Sequence, residues 1–158
     1  MDAAPRTLAE LPLDPELDVW VPFAAGTDVG YGDRPGGVPL SARDLDKRRV
    51  TQCALSRICG VCGAGLGRPL AFVGSRHELD RLAFHLPPLH VECAHALLAT
   101  YAQVAEPVLG IDAPPAAWVL VTTASFEFVR PRREDIDRRP TFQPNALLSE
   151  AARDVPLR

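Results

Sequence analysis

Three cysteines and one histidine of this chain stand in two pairs with the same internal gap. Cys59-x-x-Cys62 is followed, after residues 63–89, by His90-x-x-Cys93. Three thiolates and an imidazole make up the closed tetrahedral set of a structural zinc site. The competing chemistry for Cys-x-x-Cys is thiol exchange, which needs the first thiol at the start of a helix that follows a strand, where the helix dipole lowers its pKa. Here the sequence predicts a helix before the pair and has Gly63-Ala-Gly-Leu-Gly67 after it, which is poor helix material. Each knuckle cysteine is followed by glycine, as expected of a tight turn that directs backbone N–H groups at thiolates. His90 and Cys93, three apart on the first turn of a helix, point the same way and can grip one ion. Zn2+ on Cys59, Cys62, His90 and Cys93 is the expectation.

The remaining reactive residues read as structural. Cys53 lies on an apolar stripe with Val50, Ala54 and Ile58, where a thiol behaves as a small hydrophobe. His77, His85 and His95 read as surface residues or as neighbours of the ligands, because His95 faces away from the His90–Cys93 pair and the other two belong to a separate helix and its exit. His90-Val-Glu92 echoes the His-x-Glu of zinc deaminases, in which a non-ligand Glu shuttles protons. Those enzymes place Cys-x-x-Cys after the histidine and leave the metal an open position, so Glu92 reads more simply as an acid favoured in a first helical turn.

The elements that must position the ligands follow from periodicity and caps. Ser41-Ala-Arg-Asp44 predicts an N-terminus for a helix over about 42–57. Pro69-Leu-Ala-Phe-Val-Gly74 reads as a strand, and Ser75-Arg-His-Glu78 is a capping box opening a short helix over 76–84. Residues 90–104 are the best helix, rich in alanine, and 118–129 the best strand, β-branched and aromatic. Upstream, Leu17, Val19 and Val21 alternate with Asp18, Trp20 and Pro22 as a short edge strand would. Residues 26–39 are a Gly- and Asp-rich loop without the GK[ST] of a phosphate cradle. The expectation is an α+β fold with a treble-clef-like zinc-binding core, a small sheet, two to four helices and irregular proline-rich flanks. Residues 1–40 are an extended lead-in, 41–130 the zinc-binding domain and 131–158 a charged, proline-broken, loosely ordered tail.

Cys59-Gly-Val-Cys62-Gly, the later Leu-Gly-Arg-Pro-Leu-Ala-Phe-Val73 and Pro-Pro-Leu-His-Val-Glu-Cys-Ala94 resemble a group of small uncharacterised proteins of actinobacteria and their phages. That group carries a CxVCG…AFV…PPxHxxCA pattern, and the likeness spans roughly residues 40 to 130. It implies the same four ligands and brings no activity with it.

Composition bounds the partners. Among 158 residues the net charge is −3, apolar residues are 47% and charged residues 23%, an ordinary globular balance that attracts neither nucleic acid nor anionic membrane as a whole. No apolar run reaches the roughly 18 residues of a membrane span, and the acidic, proline-bearing start does not read as a signal peptide. A cytoplasmic location is expected, where thiols stay reduced or bind metal. The function expected is a structural zinc module of a small interaction or regulatory protein, with another protein as partner. The alternatives are nucleic-acid binding through Arg130, Arg132, Arg133, Arg138 and Arg139, and a zinc-dependent enzyme with Glu92 near the metal. The centre is expected to depend on metal for its fold.

Overall fold

The computed structural model describes residues 11–25 and 41–149. Among them the chain forms β1 (Leu13–Asp14), β2 (Val19–Trp20), α1 (Lys47–Ser56), β3 (Leu70–Ser75), α2 (Arg76–Arg81), β4 (Leu89–His90), α3 (Val91–Thr100), β5 (Trp118–Val129) and β6 (Thr141–Ser149). This is a mixed α+β fold: β1 and β2 form a two-stranded sheet, and β4-β3-β5-β6 form a second sheet whose neighbours are all antiparallel. No helix among the described residues is long and apolar enough to cross a membrane. The glycine-rich loop expected over 26–39 lies outside the described residues.

Strand β3 is buried along its whole length. It pairs with β5 from Leu70 opposite Thr123 to Ser75 opposite Trp118, and alternation assigns its side chains to two layers. On one face Phe72 stacks on Phe84 at 5.3 Å between ring centroids and meets Phe126 and Phe142 at 6.3 Å each. On the other face Trp118, across from Ser75, comes within 6.1 Å of Tyr101, just past the end of α3. The Tyr101 hydroxyl donates to the Trp20 carbonyl at 2.7 Å, which ties the amino-terminal hairpin to the same layer.

Three elements depart from the sequence reading. Helix α1 starts at Lys47, not near 42, with Asp46 as its cap accepting from Arg49 N–H at 3.0 Å. The backbone upstream is used elsewhere: Ala42 N–H donates to the buried Asp14 at 2.7 Å, while the carbonyls of Ala42 and Arg43 accept from Leu109 and Gly110. Chain committed to those long-range bonds cannot also close helical turns. Ser75–Glu78 is a capping box, as expected, but α2 stops at Arg81 because Leu82 takes a left-handed conformation at φ 52°. The segment expected to be a loose tail contains β6, which runs beside β5 from Val129 opposite Thr141 to Thr122 opposite Ser149. Phe142 explains the pairing: it is fully buried against Phe72, Phe126 and Phe128, and it exchanges both backbone hydrogen bonds with Phe84. Pro144 obscures the strand in the sequence but opposes Phe126 in the final strand of the sheet, where a missing donor is tolerated.

Gly74 is required by this layer. A Cβ there would collide with the Glu78 carboxylate and stand 2.6 Å from Phe84 Cδ1, whereas a Cβ on Gly67 would meet nothing within 4 Å. Gly74→Ala is expected to lower the unfolding free energy by about 1–3 kcal/mol, the ordinary penalty of overpacking, and Gly67→Ala to stay within about 0.5 kcal/mol. Chemical denaturation of the two variants measures the contrast.

Candidate metal centre

Helix α1 delivers the chain to the knuckle. Its C-cap Arg57 turns left-handed at φ 53° and returns its N–H to the Cys53 carbonyl, and the chain then closes a loop on itself. Leu66 N–H donates to Arg57 O at 3.0 Å, Cys59 N–H to Ala64 O at 2.8 Å, and Gly63 N–H to Cys59 O at 2.9 Å. Gly63 holds the tightest point at φ 76°, with Phe23 filling the space where a Cβ would be. Two neighbouring segments clamp this loop. Phe23 and Ala24 donate to the carbonyls of Val61 and Gly60 at 2.9 Å, and Gly60 donates to Pro88 O at 3.0 Å. That last bond fixes the knuckle against the residues leading into β4 and α3. Gly60 permits it, since a Cβ would approach Leu89 and Pro87 to 3.2 Å.

The result is a group of four ligand atoms, from Cys59, Cys62, His90 and Cys93, all within 4.8 Å of one another. The three thiols are buried and His90 is half-buried. The imidazole Nδ1 lies 3.4 Å from Cys62 Sγ and 3.7 Å from Cys93 Sγ. A tetrahedral ion with bonds of about 2.3 Å to sulfur and 2.0–2.1 Å to nitrogen needs an S···N edge of about 3.5 Å, and the two distances bracket it. The other ring nitrogen, Nε2, lies 2.8 Å from the Gly65 carbonyl. A carbonyl can only accept, so Nε2 carries the proton and Nδ1 presents its lone pair inward. The Cys3His group is able to hold one metal ion and has the composition that zinc takes.

Electrostatics divide the thiols. Burial would raise Cys59, but hydrogen bonds from Cys62 and Cys93, with backbone N–H groups of Cys62 and His90, outweigh it and hold the thiol well below its usual range. Val61 and His90 N–H groups lie 3.3 and 3.4 Å from its sulfur. Cys93 is pushed far up, first by hydrogen bonding to Cys59 and Cys62 and then by burial. A cation entering the group would displace protons from these thiols and stabilise the thiolates as ligands.

The structure brings the four sequence-derived residues together with one change of detail. His90 ends β4 and is the N-cap residue of α3, in an extended conformation, while Cys93 is in the first helical turn. Cys53 is fully buried and stands outside the group, its thiol raised by desolvation and then by the charge of Cys59. His95 and Glu92 are exposed on α3. His77 is exposed beside Asp112 at 3.2 Å. His85 corrects the surface reading: it is buried, with Nδ1 2.5 Å from the equally buried Glu78 and Nε2 3.4 Å from Asp137. No local pattern links position 78 to 85, because the turn at Leu82 folds the chain back between them. The clamp from Phe23 and Ala24 was equally invisible, being made by backbone atoms alone.

Comparison with protein-family models, curated proteins and solved structures finds no match, and no family is assigned.

Metal content separates His90, the N-cap residue of α3, from His95 within the helix. His90→Ala is expected to lose most bound zinc, His95→Ala and Cys53→Ala to retain one ion per chain, with Cys53→Ala costing only modest stability. Elemental analysis of the purified variants checks this; zinc lost from His95→Ala and kept by His90→Ala would reverse the histidine assignment.

Proposed function

We propose that Cys59, Cys62, His90 and Cys93 bind a structural zinc ion, and that the chain is a small cytoplasmic interaction or regulatory module built around it. The observation that carries this reading is the closeness of the four ligand atoms, contributed by the knuckle, β4 and α3. Four protein ligands close a tetrahedral ion and leave no position for water or substrate, which separates a structural site from a catalytic one. The order of elements supports a treble-clef-like core. The knuckle is followed by β3 and β4, which pair as Leu70 with His90 and Ala71 with Leu89, and then by the ligand-bearing helix α3. Helix α2 is an insertion between the two strands. Reduced, metal-bound thiols belong to the cytoplasm, and the ion substitutes for crosslinks that a disulfide would supply elsewhere.

Nucleic acid is the weaker of the two partner readings. Within the β5–β6 connection Arg132 pairs with Glu134 and Asp135, and Arg139 holds Asp137 in a two-point contact. The arginine tract offers much of its charge already compensated by its own acids. Phosphate-driven binding depends on uncompensated cations.

Removal of the ion tests the structural role. Zinc-free protein, prepared by chelation under reducing conditions, is expected to lose amide protection across 57–66 and 88–95 while β3, β5 and the Phe72 layer exchange more slowly. Cys62→Ser and Cys93→Ser are expected to show the same pattern and to become protease-sensitive, because structural zinc contributes roughly 10–16 kcal/mol of apparent binding energy in small peptides. Hydrogen-exchange mass spectrometry gives the readout. Unchanged protection in the metal-free chain would sink the structural assignment.

A further inference from the structure

Away from the metal, the start of α1, the turn at Gly110 and the β5–β6 connection enclose a cavity of about 330 Å³ with His85 in its lining. None of the four candidate metal ligands lines it. The volume is at the small end of the roughly 300–1,000 Å³ that ligand sites occupy. Its walls are of two kinds. Leu45, Val50 and Pro140 are apolar, and Lys47, Arg138 and Arg139 are cationic.

Most of the charge around the cavity is internally balanced. Glu78, His85, Asp137 and Arg139 form a chain of contacts: 2.5 Å from Glu78 to His85, 3.4 Å from His85 to Asp137, and 2.8 Å from Asp137 to Arg139. Arg139 also donates to the Gly110 carbonyl at 2.7 Å, so its guanidinium is fixed as wall. Gly110, at φ 71°, leaves room for this; a Cβ would stand 3.2 Å from Arg139 Nη1. Two cations remain outside this balance. Arg138 donates from Nη1 to the backbone carbonyls of Arg132, Arg133 and Asp135, and among the described residues neither it nor Lys47 has a carboxylate partner. Asp44 is the single carboxylate in the lining, against those two charges.

We propose that this cavity binds a small organic anion: a carboxylate held by Lys47 and Arg138 on an apolar body lying against Leu45, Val50 and Pro140. The volume admits one ring or a branched chain. A bare inorganic ion would leave the apolar wall facing water, and a neutral apolar molecule would leave the two cations without a carboxylate partner.

The test uses the zinc-loaded full chain, isotope-labelled, followed by NMR at constant ionic strength. Benzoate is the probe, with benzamide as its neutral isostere and inorganic phosphate as the anion without an apolar body. Benzoate is expected to shift the amides of Leu45, Val50 and Gly110 saturably in the millimolar range. Lys47→Gln and Arg138→Gln are each expected to weaken it roughly tenfold, as loss of one charge-assisted contact implies, with zinc content unchanged. Benzamide and phosphate are expected to leave those amides in place. The proposal is overturned if benzoate gives no saturable shift there, if both variants bind it as the unsubstituted chain does, or if benzamide or phosphate acts equally well.

Discussion

Three buried sulfur atoms and a half-buried imidazole are brought within 4.8 Å of one another, an arrangement that ionised thiols make costly. Thiolates crowded into a buried place repel one another, and the Val61 and His90 N–H groups directed at Cys59 answer this only in part. A divalent cation is the group that answers it fully, since it neutralises two thiolate charges where solvent cannot screen them. The rest of the local structure is organised around that demand. The knuckle has almost no secondary structure of its own; it is held by backbone hydrogen bonds that Phe23 and Ala24 donate to it and by one that its Gly60 donates to the Pro88 carbonyl. Those bonds preorganise the ligands, and the preorganisation is what makes His90 Nδ1 fall at the edge length of a tetrahedron.

The aromatic layer is a second source of order. Phe72, Phe84, Phe126 and Phe142 interlock ring against ring on one face of β3. β3 connects the two systems: Leu70 at its start faces His90 across the ladder, and Phe72 two residues on enters the aromatic cluster. The knuckle and the start of α3 hold the ligands with few regular backbone bonds, whereas the sheet has its own ladders, so loss of a bound ion is expected to unravel the knuckle before the sheet.

The ligand set and the strongest elements were legible in the sequence because their causes are local. A repeated two-residue gap, a Ser75–Glu78 capping box and a β-branched run over 118–129 need only their neighbours to be read. The features that escaped depend on distant chain. Ser41–Asp44 has the composition of a helix start, yet Ala42 and Arg43 are claimed by Asp14, Leu109 and Gly110. β6 has a proline and follows a charged segment, and only Phe84 and Phe72 reveal why Phe142 must be inside. His85 could not be distinguished from a surface histidine until the turn at Leu82 placed it on Glu78.

That last pair also explains how an inserted helix can be tolerated inside a two-stranded ladder. Helix α2 has six residues, too few to be stable alone, and isolated helices below about 12–15 residues are marginal. Its carboxylate does three jobs at once: Glu78 Oε1 accepts from Ser75 N–H at 3.2 Å to complete the cap, Oε2 meets His85, and its bulk fills the space that Gly74 leaves open. The insertion is thereby bonded to its own start, to its own exit and to the face of β3 beneath it. Through His85 and Asp137 the same carboxylate reaches the β5–β6 connection, so the insertion and the final strand pair are tied together by one chain of polar contacts rather than by helix length.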